Sequence, residues 1–77
     1  MIVHQKKRVQ SLIEEIQLVF DMTEDVLNEF QTYYDERSEK WQESERGESF
    51  QDLLNDLTDT QDVLETTIEN LEGYMED

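Results

Sequence analysis

The sequence predicts an all-α protein, an antiparallel hairpin of two long helices spanning about 3–45 and 49–75 and completed to a helical bundle by oligomerisation. Three observations carry this. The 77 residues include no proline and two glycines, Gly47 and Gly73, so the strongest helix breakers are nearly absent. The apolar residues recur at helical spacing. They recur in two blocks with one break between them, which makes a single domain over 1–77 the expected organisation.

In the first block, taking Val9 as heptad position a places Ile16 and Phe30 at a, and Leu12, Val19, Val26 and Tyr33 at d. Ile13, Phe20, Leu27, Tyr34 and Trp41 then fall at e. Such an a/d/e stripe is wider than the seam of a two-stranded coiled coil and suits a helix packed in a bundle. Glu14, Asp21, Glu24, Asp25 and Asp35 fall at b, c and f and are expected to face water. Ser11 with Glu14, and Thr23, are candidate helix starts, but neither follows a breaker, so the helix is read as continuous.

The break is read at Glu45-Arg46-Gly47-Glu48. Gly47 can adopt the left-handed conformation that ends a helix, and Ser49 with Asp52 makes a weak capping box for the next one. In the second block Phe50, Leu57, Leu64 and Leu71 repeat every seven residues, with Leu53 and Tyr74 at d and Leu54, Ile68 and Met75 at e. Thr60 and Thr67 interrupt the d row.

These bounds give helices of ~60 Å and ~40 Å at 1.5 Å per residue. Folding back at Gly47 sets Leu71 near Met22 and Tyr74 near Val19. Val9, Leu12, Ile13 and Ile16 then overhang with no partner in the chain, and exposing them would forfeit roughly 1.5 to 3 kcal/mol each. A homodimer interface is therefore expected at these four residues. The aromatic group Phe30, Tyr33, Tyr34, Trp41 and Phe50 is expected in the core near the turn, Trp41 closing the end against Phe50 and being the most exposed of the group.

Charge narrows the function. The formal net charge is −15, with eight acidic and no basic residues from Ser11 to Glu36, and ten acidic and none basic from Glu48 to Asp77. Such a chain repels nucleic acid and anionic membranes and attracts basic protein surfaces. Lys6, Lys7 and Arg8 are too few beside this field to bind nucleic acid, and they suit either solvent or the acidic helix of a second copy. Asp52, Asp56, Asp59, Asp62, Glu65, Glu69, Glu72 and Glu76 advance in steps of three and four residues over ~36 Å, a length comparable to one turn of duplex DNA. Carboxylates standing where phosphates would is the functional reading of this row, and a solvated acidic face the plainer one.

Catalysis is not expected, since acid–base chemistry needs a desolvated carboxylate in a pocket, which two helices do not offer. There is no cysteine and one histidine, His4, so neither a disulfide nor a metal site is expected. No cofactor is expected either. The longest apolar run, Leu18-Val19-Phe20, is far short of a membrane span, and the protein is expected in the cytoplasm.

The stretch Ser38-Glu39-Lys40-Trp41-Gln42-Glu43-Ser44-Glu45-Arg46-Gly47-Glu48-Ser49-Phe50, with the acidic helix that ends Ile68-Glu69-Asn70-Leu71-Glu72, resembles small acidic proteins of tailed bacteriophages. The resemblance covers about half the chain. It implies a phage or mobile-element origin and a role in disarming a host nucleic-acid-binding protein such as a restriction or CRISPR effector, without naming site residues. Two functions follow from the sequence: an acidic inhibitor or regulator that occupies a basic groove, and an assembly module acting through its apolar and aromatic stripe.

Overall fold

In the computed structural model, which describes residues 1–76, the chain forms three helices: α1 (Val3–Asp35), α2 (Glu39–Gln42) and α3 (Glu45–Met75). Asp77, the last residue of the second acidic block, lies outside the described residues. The fold is all-α, with no strand among the described residues, and elongated, 57 × 15 × 14 Å along its principal axes.

The first helix ends at Asp35, ten residues earlier than its periodicity predicts. Two serines make the break. Ser38 caps α2, its Oγ accepting the Trp41 N–H at 3.2 Å, and Ser44 caps α3, accepting the Gly47 N–H at 3.2 Å. Each satisfies a backbone donor that a helix start leaves unpaired. The Gln42 side chain closes the other end of the gap, donating to the carbonyls of Tyr34 at 2.9 Å and Arg37 at 3.3 Å.

Gly47 therefore does not end a helix. It sits in the first turn of α3 with an ordinary negative φ, and Ser49 lies inside the helix rather than at its cap. What Gly47 provides is room: it is buried, and a Cβ there would collide with the backbone carbonyl oxygens of Trp41 and Gln42. The close approach lets α2 fold tightly onto the start of α3. Thr23 likewise starts nothing, because its hydroxyl donates to the Val19 carbonyl at 2.8 Å inside a continuous α1.

Moving the break toward residue 40 changes the pairing of the long helices. α1 has 33 residues and α3 has 31, so their lengths match and no long overhang remains. α3 runs back along α1: Phe30 meets Phe50 at the corner, and farther along Gln17 and Phe20 share a groove with Glu65 and Ile68. Phe20 thus lies at the level of Glu65 to Ile68, so Leu71 and Tyr74 sit nearer the start of α1 than the Met22 and Val19 levels expected for them. Ile13 is 5% exposed and Val9 and Ile16 are half-buried, leaving Leu12 as the exposed member of the four expected to lack partners.

The least exposed positions of α1, from Lys6 and Val9 through Ile13, Ile16, Phe20, Thr23, Leu27 and Phe30 to Tyr34, alternate three and four residues apart. Those of α3 from Phe50 to Met75 do the same through Leu54, Leu57, Gln61, Leu64, Ile68 and Leu71, with Gln51 and Thr67 partly covered beside them. In heptad terms the seam uses rows a and e of each helix. Apart from the partly covered Thr67, the d rows are left outside it. Ile13, Leu54 and Ile68 are the fully buried hydrophobic side chains, Leu54 at 2% exposure.

The corner is packed by aromatic rings, as the sequence predicts. Phe50 contacts Phe30, Tyr33, Tyr34 and Trp41 with ring centroids 5.3 to 6.3 Å apart, and Trp41 stands edge-on to Phe50 at 5.8 Å. The most exposed ring is Tyr33, not Trp41; it lies in row d, and the Arg37 guanidinium covers its face at 4.5 Å from the centroid.

Two opposed candidate binding faces

Row d lies to one side of an a/e seam, and row g lies beside it; rows b and f lie on the other side. Antiparallel packing reverses the sense of one helix, so the d and g rows of α1 and α3 come out on the same face. The surface grooves bear this out. Tyr33 and Leu53, both in row d but on different helices, line one open groove with Phe30, Phe50 and Trp41. Gln17 and Glu65 of row b, with Glu69 of row f, line another on the opposite face.

The d/g face is apolar. Leu12, Val19, Val26 and Tyr33 are between 36% and 48% exposed, and Leu53 also belongs to this group. Met22, Val63 and Tyr74, in rows g, g and d, are each more than 60% exposed. Outside the first three residues, Leu18 is the one exposed large hydrophobic of the described residues that falls elsewhere. Acid is scarce on this face: within α1 and α3 its rows hold Glu15, Glu29 and Asp56 against Arg8 and Arg46, a net charge of −1 on a chain of −15.

The acidic residues singled out from the sequence are all on the surface of α3 but do not share one line. At 100° per residue the row winds around the helix. Asp56 flanks the apolar face, Asp52 and Asp59 point directly away from α1, and Asp62, Glu65, Glu69, Glu72 and Glu76 reach the b/f face. All eight are exposed. There they share that face with Glu14, Asp21, Glu24 and Asp35 of α1, a broader acidic surface than one helix offers. Local amides partner some of these carboxylates, Gln31 donating to Asp35 at 3.0 Å.

The apolar face was missed in the sequence reading because its residues were assigned to the core. The signal was present: two helices have one seam between them, a seam takes two rows from each, and the a/d/e stripe offers three. The surplus row must be outside.

Among the described residues no group of three His, Cys, Asp or Glu side chains is arranged to hold a metal ion, and no helix is long and apolar enough to cross a membrane. Comparison of the chain with protein-family models, curated proteins and solved structures finds no match.

Proposed function

We propose that this protein is a non-catalytic helical hairpin that works in the cytoplasm by binding other proteins, and that its d/g face is the assembly surface through which a larger helical bundle is completed. The observation that carries this reading is the sorting of exposed apolar side chains. Leu12, Val19, Met22, Val26, Tyr33, Leu53, Val63 and Tyr74 occupy two adjacent heptad rows rather than scattering over the surface. Single exposed hydrophobics are ordinary, whereas their gathering on one face of the molecule marks an interaction surface.

Incorporation of a photo-activatable phenylalanine analogue in the cell tests it. Val26 and Val63 on the apolar face are each compared with Asp62 and Glu69 on the acidic face. Covalent adducts with another polypeptide, its own copies included, are expected from Val26 and Val63. Adducts from Asp62 and Glu69 alone would defeat the assembly reading.

Nucleic-acid mimicry is the second reading, favoured by the b/f face, where both helices place carboxylates and neither places a lysine or arginine between Ser11 and Glu36 or between Glu48 and Glu76. Its partner is the basic groove of a nucleic-acid-binding protein, a host one if the phage resemblance holds. Binding of that kind weakens steeply with salt and is competed by nucleic acid. Replacing Asp59, Asp62, Glu65, Glu69 and Glu72 with Asn or Gln abolishes it while sparing an apolar-face partner.

A further inference from the structure

We infer that the occupant of the d/g face is a second copy of this chain, laid across it with its corner at the opposite end, so that α1 packs on α1 and α3 on α3 in a two-fold symmetric four-helix bundle. This rests on the assembly reading above and specifies its partner.

Three features select a second copy in this orientation. The first is area. The molecule is 57 Å long and only 15 Å across, so reaching the ~800 Å2 per partner of a stable interface takes an occupant that covers nearly the whole length of the face. A single short segment docked on one end would leave most of the row uncovered.

The second is charge. Two copies of a −15 chain repel, yet the d/g rows of α1 and α3 carry a net charge of only −1, or −2 with Glu36 at the corner, so most of the acid of both copies is directed outward and sideways. A strongly basic partner would be drawn to the b/f face instead.

The third is the match of ends. Val19 stands at the middle of α1 and Val63 near the middle of α3. A two-fold axis there sets Val19 of one copy beside Met22 of its partner. Arg8 then falls on the partner's Tyr33 level, between the levels of Glu29 and Glu36. Each copy contributes this match, so it occurs twice. Turning the second copy end for end would instead bring Glu29 toward Asp56.

On α1 an apolar d row runs beside a mixed g row, the pattern of a bundle interface, while on α3 Leu53, Val63 and Tyr74 supply the apolar positions, interrupted by Thr60 and Thr67. The resulting particle has apolar faces inside and acidic b/f faces on its two outer sides.

Sedimentation equilibrium at tens of micromolar, with circular dichroism on the same samples, is the first arm of the test. Wild-type protein is expected at twice the 9.3 kDa chain mass. The double variant Val19→Glu with Val26→Glu is expected at one chain mass with its helix signal retained, whereas Leu18→Glu, exposed but off the face, is expected to remain dimeric. The second arm measures orientation without any face variant. The chain has no native cysteine, so Lys7→Cys, exposed in row f and off the face, carries a single spin label, and labels at opposite ends of the bundle should lie roughly 40 Å apart along the axis by helical rise.

A wild-type monomer overturns the second copy as occupant. If Val26 and Val63 still give adducts to a different protein in the cell, the assembly reading survives that result. A dimer unaffected by the double variant places the interface elsewhere, and a label separation below about 25 Å refutes the orientation.

Discussion

Four pairs of neighbours in α1, Leu12 and Ile13, Val19 and Phe20, Val26 and Leu27, Tyr33 and Tyr34, are alike in hydrophobicity and opposite in fate. The second member of each pair is at least half-buried against α3, and the first is left on the surface. One residue of helical rotation separates them, about 100°, more than the arc that a single neighbouring helix covers. The difference shows that an apolar stripe as wide as this one needs two neighbours, and the chain supplies one.

The largest effect on this contrast should come from the seam itself. Leu54 is the most completely buried side chain, and truncation of such a leucine costs about 2–5 kcal/mol through lost transfer energy and an unfilled cavity. Leu54→Ala is expected to lower stability by ~3 kcal/mol in denaturant titration at fixed protein concentration. A loss below 1 kcal/mol would mean that the seam is not where the chain's stability resides.

The two glycines should give smaller effects of opposite sign. Gly47→Ala forces a methyl group against the Trp41 and Gln42 carbonyls, and overpacking of this kind costs about 1–3 kcal/mol, offset in part by better helix propensity. A net loss of about 1 kcal/mol is expected. Gly73 has open space where a Cβ would stand, so Gly73→Ala should stabilise, by about 0.5 kcal/mol near the frayed end of a helix. Thermal melts of both variants beside wild type read the signs directly. Equal signs would mean that the corner relaxes away from the added methyl group.

Much of this fold was legible in the sequence, for reasons tied to particular residues. The long helices follow from the absence of proline and from apolar rows at helical spacing, and the ring cluster at the corner follows from Phe30, Tyr33, Tyr34, Trp41 and Phe50 falling on the apolar side of those rows. The corner's position did not follow, because Gly47 is the more obvious punctuator and was given the task that Ser38 and Ser44 perform. Capping by serine is a backbone event. Both serines lie in a charged stretch whose composition suits a helix, and neither has the Glu or Gln three residues on that would complete a capping box.

That displacement propagated. A break at Gly47 made the helices unequal, and unequal helices produced an overhang at Val9, Leu12, Ile13 and Ile16. A break near residue 40 pairs three of them with α3 and moves the uncovered surface from one end of the molecule to one side. The acidic row of α3 was legible as a set of residues but not as a geometry. Its three- and four-residue steps average less than a helical turn, so it winds from the apolar edge at Asp56 to the opposite face at Glu72.

The neighbouring residues Val26 and Leu27 offer the most direct measurement of whether one apolar row is inside the chain's own fold and the next is a surface for a partner. Glutamate is placed at each position in turn, and helix content and molar mass are followed at the same protein concentration. Val26→Glu is predicted to keep its helix signal and sediment as a monomer, while Leu27→Glu, carrying a charge into the seam between α1 and α3, is predicted to lose most of its helix. A Val26→Glu variant that sediments as wild type, or a Leu27→Glu variant as helical and stable as Val26→Glu, would contradict the division of the apolar stripe into a core and an interface.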